Sequence, residues 1–281
     1  MHAHPLALAR AFLFVPADRP ERIARALAAG PGGVIVDLED AVAPDRKAGA
    51  REGLAHALQG LDRAALGRLV VRINPVGTAW HADDLAAVAA LCAQGLAGVM
   101  LPKAEHGDAV DLVARALPAE TVVMPLIESV AGLDAVDAIA AAPRVLRLAF
   151  GHLDFQADAG LACAEDEAEL VTVRLALVLA TRRAGLPPPV DGVTPDWRNP
   201  ARLAADAARA RRGGFGAKLC IHPDQVPTVQ TALGPSPGEV AWARRVRDAM
   251  AASGGGVVAV DGKMVDAPVL RLADRLLAMA D

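Results

Sequence analysis

Two carboxylates, Glu128 and Asp154, close consecutive apolar segments, TVVMPLIES and VLRLAFGHLD, and stand 26 positions apart (154 − 128 = 26). That separation matches one strand–helix–strand repeat, whose crossover needs at least ~10–12 residues. In a parallel α/β sheet such a repeat carries both strand ends to one rim, where ligands bind. Unpaired acids held there are costly and call for a cation. Ligands that are all oxygen favour Mg²⁺ or Mn²⁺ over zinc. The competing assignment, that each acid merely caps the next helix, explains either one taken alone better than it explains the pair. Asp37, Glu39, Asp40, Arg72, Lys103, Asp191 and His222 also close short apolar runs, and in a barrel they would share that rim. Lys103 follows a proline among acids and has no apolar pocket to lower its pKa, which favours an ion pair over a Schiff base.

The elements that must position these groups are eight predicted strands: 11–16, 33–40, 69–74, 98–103, 121–129, 145–154, 187–193 and 216–223. Most are continuous apolar runs, as strands buried on both faces require. Helical stretches alternate with them. The first is DRPERIARALAAG, with Asp18 as its cap, Pro20 in its first turn and Gly30 as its stop, and a long helix is expected over about 165–184. Eight such repeats predict an α/β fold, a (β/α)8 TIM barrel, over residues 1–233. Residues 234–281 form a C-terminal helix and lid extension, with the glycine run 254–256 as its hinge. Neither a dinucleotide fingerprint nor a P-loop is present in the sequence.

Composition narrows the class. A 53% hydrophobic content over 281 residues and a mean hydropathy of +0.31 suit one large core. A net charge of −4 and the lack of tyrosine leave no footprint for nucleic acid. Cys92, Cys163 and Cys220 are odd in number and far apart, which fits a reducing cytoplasm. No apolar run reaches the ~18–20 residues of a membrane span, since VTVRLALVLA is broken by Arg174. Arg10, Asp18 and Arg19 make the N-terminal apolar stretch a strand and not a signal peptide. The expected location is cytoplasmic.

At LFVPADRPER, VIVDLEDAVAPDRKAGAR, VRIN, LPKAE, PLIES, FGHLDFQADAG, KLCIHP and DGKMVDAPV the chain resembles the citrate lyase β-subunit-like family of CoA-thioester lyases and aldolases, which includes malyl-CoA lyase and citramalyl-CoA lyase. The resemblance implies Mg²⁺ (or Mn²⁺), a homotrimer or a multiple of one, and reversible cleavage of a 3-hydroxy-3-carboxylated acyl-CoA. The products would be an acyl-CoA and a 2-oxo acid. It implies Glu128 and Asp154 as the metal ligands, and the metal as a Lewis acid on the oxo acid. Arg72 would neutralise developing oxygen charge, and the amides of Gly151 and His152 would donate to the oxo-acid carboxylate. Phe14, Arg19 and Arg25 fall where the family holds CoA. Asp37 and Glu39 would orient either metal-bound water or the arginine. Asp266 matches the family's general acid/base. By its position it is also an ordinary N-cap of the last helix, and the glycine run would let it complete a neighbouring subunit's site.

Two departures bear on the substrate. GHLD stands where citrate lyase subunits often read GAED, which tells against citryl cleavage on a carrier protein. Asp40 stands where related pyruvate aldolases carry a catalytic histidine. The alternatives are a metal-dependent aldolase of free hydroxy-oxo acids and a carrier-dependent subunit of a citrate lyase complex.

Overall fold

The computed structural model describes residues 4–253 and 256–280. Eight strands, β1 (Ala11–Pro16), β2 (Gly33–Asp37), β3 (Leu69–Arg72), β4 (Gly98–Leu101), β5 (Val122–Ile127), β6 (Ala149–Phe150), β7 (Val190–Asp191) and β8 (Ala217–Cys220), pair in chain order. All are parallel, and β8 closes on β1 from Ala11↔Lys218 to Leu13↔Cys220, so the sheet has no open edge. Between and after the strands run α1 (Arg22–Ala28), α2 (Lys47–Leu58), α3 (Arg63–Leu66), α4 (His81–Cys92), α5 (Gly107–Ala116), α6 (Val130–Asp134), α7 (Val136–Ala140), α8 (His152–Ala159), α9 (Val171–Arg183), α10 (Pro200–Arg212) and α11 (Gln225–Leu233). This is the expected (β/α)8 barrel.

Every residue of β2, β3, β4 and β8 is buried, because helices cover one face and the barrel interior the other; the runs therefore do not alternate. Phe12, Ile35, Val70, Met100, Met124 and Leu219 fill the interior, making it a packed core and not a pore. Arg147 is 1% exposed. It donates from Nη1 to Ala9 O at 2.6 Å and from Nε to Pro188 O at 2.8 Å, satisfying carbonyls that precede β1 and β7 at the N-terminal end of the barrel.

Three local expectations are corrected. The strands are shorter than the apolar runs: β5 stops at Ile127 and β6 at Phe150. Glu128 therefore lies just past its strand, and Asp154 lies in the first turn of α8. Asp18 does not cap α1, whose N-cap is Glu21 without a side-chain bond. Its carboxylate is instead taken by Arg46 at 2.6 Å. The helix expected from about residue 165 starts as a 3-10 turn at Ala168–Leu170 and becomes α9 at Val171, because Glu167 is in the left-handed region with φ 51°.

The chain divides into two compact units between Val229 and Gln230, within α11, against the expected boundary after 233. In the second unit, α12 (Pro237–Ala252) opens on a capping box formed by Ser236 and Glu239. The hairpin of β9 (Val258–Val260) and β10 (Lys263–Val265) follows, then α13 (Ala267–Ala278). Ala243, Val246, Met250, Val260, Val265, Ala273 and Leu277 form this unit's own core. Gly254 and Gly255 of the expected hinge lie outside the described residues. The hairpin escaped the sequence reading, although Asp261-Gly262 between valine-rich runs is a strong hairpin signal; both residues have positive φ. Among the described residues no helix is long and apolar enough to cross a membrane.

Candidate active site

The site begins with the register of two neighbouring strands. Asp37 ends β2 directly beside Arg72 at the end of β3, so a carboxylate and a guanidinium meet at the rim. Arg72 donates from Nε to Asp37 Oδ1 at 2.7 Å and from Nη2 to Oδ2 at 2.6 Å, a two-pronged contact. Its Nη1 lies 2.7 Å from Glu39 Oε2 and 3.5 Å from Asp40 Oδ2, and its Cζ sits 5.0 Å from the ring centroid of Phe14. Burial opposes the charge of Arg72, but Asp37, Glu39 and Asp40 more than offset it and hold its pKa above the ordinary value. Asp37 also accepts the amides of Glu39 and Ala41 at 2.9 and 3.2 Å, which folds the LEDA turn around the arginine. In this geometry Asp37 and Glu39 serve the arginine.

Across the rim, Lys103 adopts φ 46°, an uncommon conformation for a residue with a side chain. It turns the Lys103 amide onto Glu128 Oε1 at 2.8 Å, while Lys103 Nζ reaches Glu39 Oε1 at 3.2 Å, an ion pair as expected. Glu128 is 3% exposed. Burial first, then the charge of Glu39 and to a smaller degree of Asp154, push its carboxyl up to about 8, with Lys103 opposing. Burial also raises Glu39, against the pull of Arg72 and Lys103. Gly151 is required where it stands, since a Cβ there would lie 2.5 Å from Glu128 Oε2 and 2.6 Å from Glu128 Cβ.

Asp154 is exposed on the first turn of α8. Together with Phe14, Asp37, Arg72, Glu128, Gly151 and His152 it borders one cavity of about 430 Å³ whose remaining wall is largely apolar. The expected donation by the Gly151 amide is corrected: that N–H is already bonded to Ile127 O at 2.9 Å, because β5 and β6 continue their ladder to this level. The amides of His152, Leu153 and Asp154 open α8 and have no intrahelical acceptor, so the helix start offers an anion site with His152 in it and Gly151 outside.

Other expected residues lie elsewhere. Arg19 and Arg25 are exposed, on the turn before α1 and on α1 itself. Neither borders the cavity. Asp266 belongs to the second unit, where its carboxylate caps α13 by accepting the Val269 amide at 3.3 Å. Asp191 is taken by Arg174 at 3.0 Å, and His222 stacks on Trp197 with ring centroids 3.8 Å apart. Sequence reasoning missed the buried group of His152, Glu167 and Arg174 behind α8; a charge interrupting the apolar run at Arg174 was its one visible sign.

Among the described residues no group of three or more His, Cys, Asp or Glu side chains gathers as a metal cage. The donor set nevertheless fits a hard cation that keeps several waters. Glu128 and Asp154 open into one cavity, and the charge of Asp154 adds to the burial that disfavours an ionised Glu128, a penalty that a divalent ion there would reverse. Lys103 fixes one oxygen of Glu128 and leaves the other beside Gly151.

A parallel barrel with acids, a caged arginine and a helix start converging at the carboxyl ends of its strands has the arrangement in which barrel enzymes keep their chemistry. The chain belongs to the HpcH/HpaI aldolase/citrate lyase family, whose model matches residues 10–223. It is 34% identical to a citrate lyase subunit beta-like protein of Deinococcus radiodurans over 98% of both chains. It is 31% identical to a (3S)-malyl-CoA thioesterase of Cereibacter sphaeroides over 99% of this chain and 96% of that one. Among solved structures, CitE of Mycobacterium tuberculosis in complex with magnesium, acetoacetate and coenzyme A superposes with a TM-score of 0.82 at 38% identity, covering 98% of this chain and 99% of the other.

Proposed function

We propose that this chain is a Mg²⁺-dependent carbon–carbon lyase that reversibly cleaves a 3-hydroxy-3-carboxylated acyl-CoA, of the malyl-CoA or citramalyl-CoA type, to an acyl-CoA and a 2-oxo acid. One observation carries the reading: Glu128, Asp154, Arg72 and the start of α8 converge on a single cavity. Glu128 and Asp154 hold the ion, which when bound supplies Lewis-acid polarisation of the oxo acid. The first-turn amides of α8 bind the oxo-acid carboxylate.

In the condensing direction Asp266 takes the proton from the thioester α-carbon and the electron pair moves toward the thioester oxygen; the pair then returns as the α-carbon bonds to the oxo carbon, whose C=O π pair moves onto its oxygen, and that alkoxide takes up a proton to become the 3-hydroxy group. Arg72, already oriented by Asp37 and Glu39, faces the growing oxygen charge without reorganising. Phe14 supplies an aromatic contact to CoA, and Arg19 and Arg25 supply cations for its phosphates. Asp266 comes from a neighbouring copy in a cytoplasmic homotrimer or a multiple of one, which excludes water as it covers the site.

Acetyl-CoA and propionyl-CoA offered with glyoxylate, pyruvate or oxaloacetate test the reading, with excess EDTA as the control. Product formation that EDTA abolishes supports it; an undiminished rate in EDTA refutes the catalytic metal. No CoA binding at millimolar concentration would turn the assignment to free hydroxy-oxo acids. The thioesterase relative supports a second reading, hydrolysis of the hydroxyacyl-CoA, which would appear as CoA released together with a free hydroxy acid and no oxo acid.

A further inference from the structure

Helix α8 carries Asp154 at its third position, yet Gly151, its N-cap residue, makes no side-chain capping bond. The His152 side chain is buried, and its ring lies so close to Gly192 that a Cβ there would be 2.0 Å from Nδ1. Its Nε2 has no hydrogen-bond partner and faces Glu167 Oε1 at 3.4 Å. Glu167 is itself 7% exposed and left-handed, a strained conformation that persists only where the surroundings over-determine it.

Those surroundings are cations from two helices. Arg174 of α9 donates to Glu167 Oε2 at 2.5 Å and Arg209 of α10 at 2.9 Å, while Arg202 lies 3.6 Å from Oε1. Arg174 also bonds Asp191 of β7 at 3.0 Å and packs its Cζ 5.6 Å from the ring centroid of Phe150, the last residue of β6. Glu167 thus joins α9, α10 and β7 to the turn between β6 and α8.

We propose that Glu167 is a positioning residue that sets Asp154, acting through the His152 ring. This rests on Asp154 being a ligand of the divalent ion. Groups behind a metal ligand typically change affinity by about 10–100-fold when removed. Glu167 should therefore govern metal affinity although it does not border the site cavity.

The test titrates the full-length protein with Mg²⁺ alone by calorimetry and follows thermal unfolding in parallel. Glu167→Gln and His152→Ala should each weaken Mg²⁺ by about tenfold or more. The double variant should bind no worse than Glu167→Gln, since both act along one path. Leu177→Ala, a buried change in α9, should lower the unfolding temperature and leave Mg²⁺ affinity unchanged. If Glu167→Gln fails to fold, His152→Ala, which leaves no cation unpaired, decides alone. Wild-type Mg²⁺ affinity in His152→Ala, with binding lost in Asp154→Ala, overturns the brace and keeps the metal site. Wild-type affinity in Asp154→Ala overturns both.

Discussion

Arg72→Lys preserves the charge and should still cripple the enzyme. Arginine places three nitrogens on three acids: Nε and Nη2 on the two oxygens of Asp37, Nη1 on Glu39 and, at 3.5 Å, on Asp40. A lysine ammonium is one point at the end of a flexible stem and cannot span both carboxylates. It keeps one contact to Asp37 and leaves Glu39, 5% exposed, to Lys103 alone. Two close charge-assisted contacts are lost, the second prong to Asp37 and the one to Glu39, each worth about 1.5–3 kcal/mol. In a barrel unit of this size that lowers the unfolding temperature by roughly 2–4 °C per kcal/mol. The catalytic loss should be larger, about 10²–10³ in kcat, the usual effect of removing one oriented donor to a developing oxyanion. Steady-state turnover at saturating Mg²⁺, with KM for the thioester measured alongside and unfolding followed by calorimetry, separates the two effects. A raised KM with unchanged kcat would mean that Arg72 binds ground and transition states equally, and the role assigned to it would be wrong.

Gly151→Ala pushes a Cβ to 2.5 Å from Glu128 Oε2; it should lower stability by about 1–3 kcal/mol and weaken Mg²⁺ measurably by calorimetry, and wild-type affinity would show that Glu128 tolerates displacement. Burial alone would raise Glu167, but the His152 ring that faces it and the charge and hydrogen bond of Arg174 hold it well below the ordinary carboxylate range. Its contribution to stability is therefore present above the unfolded value of about 4.3 and lost as pH falls toward the depressed folded value. The stability gap between wild type and Glu167→Gln should shrink from about pH 5 downward, as read by denaturant midpoints; a gap independent of acid pH would contradict the depressed value. Mixed oligomers of Asp266→Ala with Glu128→Ala should regain part of the activity that each parent lacks, because some sites combine an intact barrel with an intact Asp266. Refolded mixtures that stay inactive while both parents assemble would return Asp266 to being only the cap of α13.

Fold class was legible in the chain because burial on both faces writes itself locally: most barrel strands are continuous apolar runs, and the strand–helix repeat recurs eight times. Repeat length likewise put Glu128 and Asp154 toward one rim, and both open into the same cavity. Asp266 could be read as an N-cap from its place before Ala-Pro and an amphipathic helix, and its carboxylate does accept the Val269 amide. Tertiary structure alone decided which acids serve the arginine, since Asp37 and Arg72 are 35 positions apart (72 − 37 = 35) and meet only through the register of β2 with β3. It moved Asp154 from a strand end to a helix turn, and it spent the Gly151 amide on the β5–β6 ladder. The cations around Glu167 come from α9 and α10, so no local pattern signals them. Hydrophobic period encodes how deeply a residue is buried; which charges then face one another depends on side-chain directions that exist only once the barrel has closed.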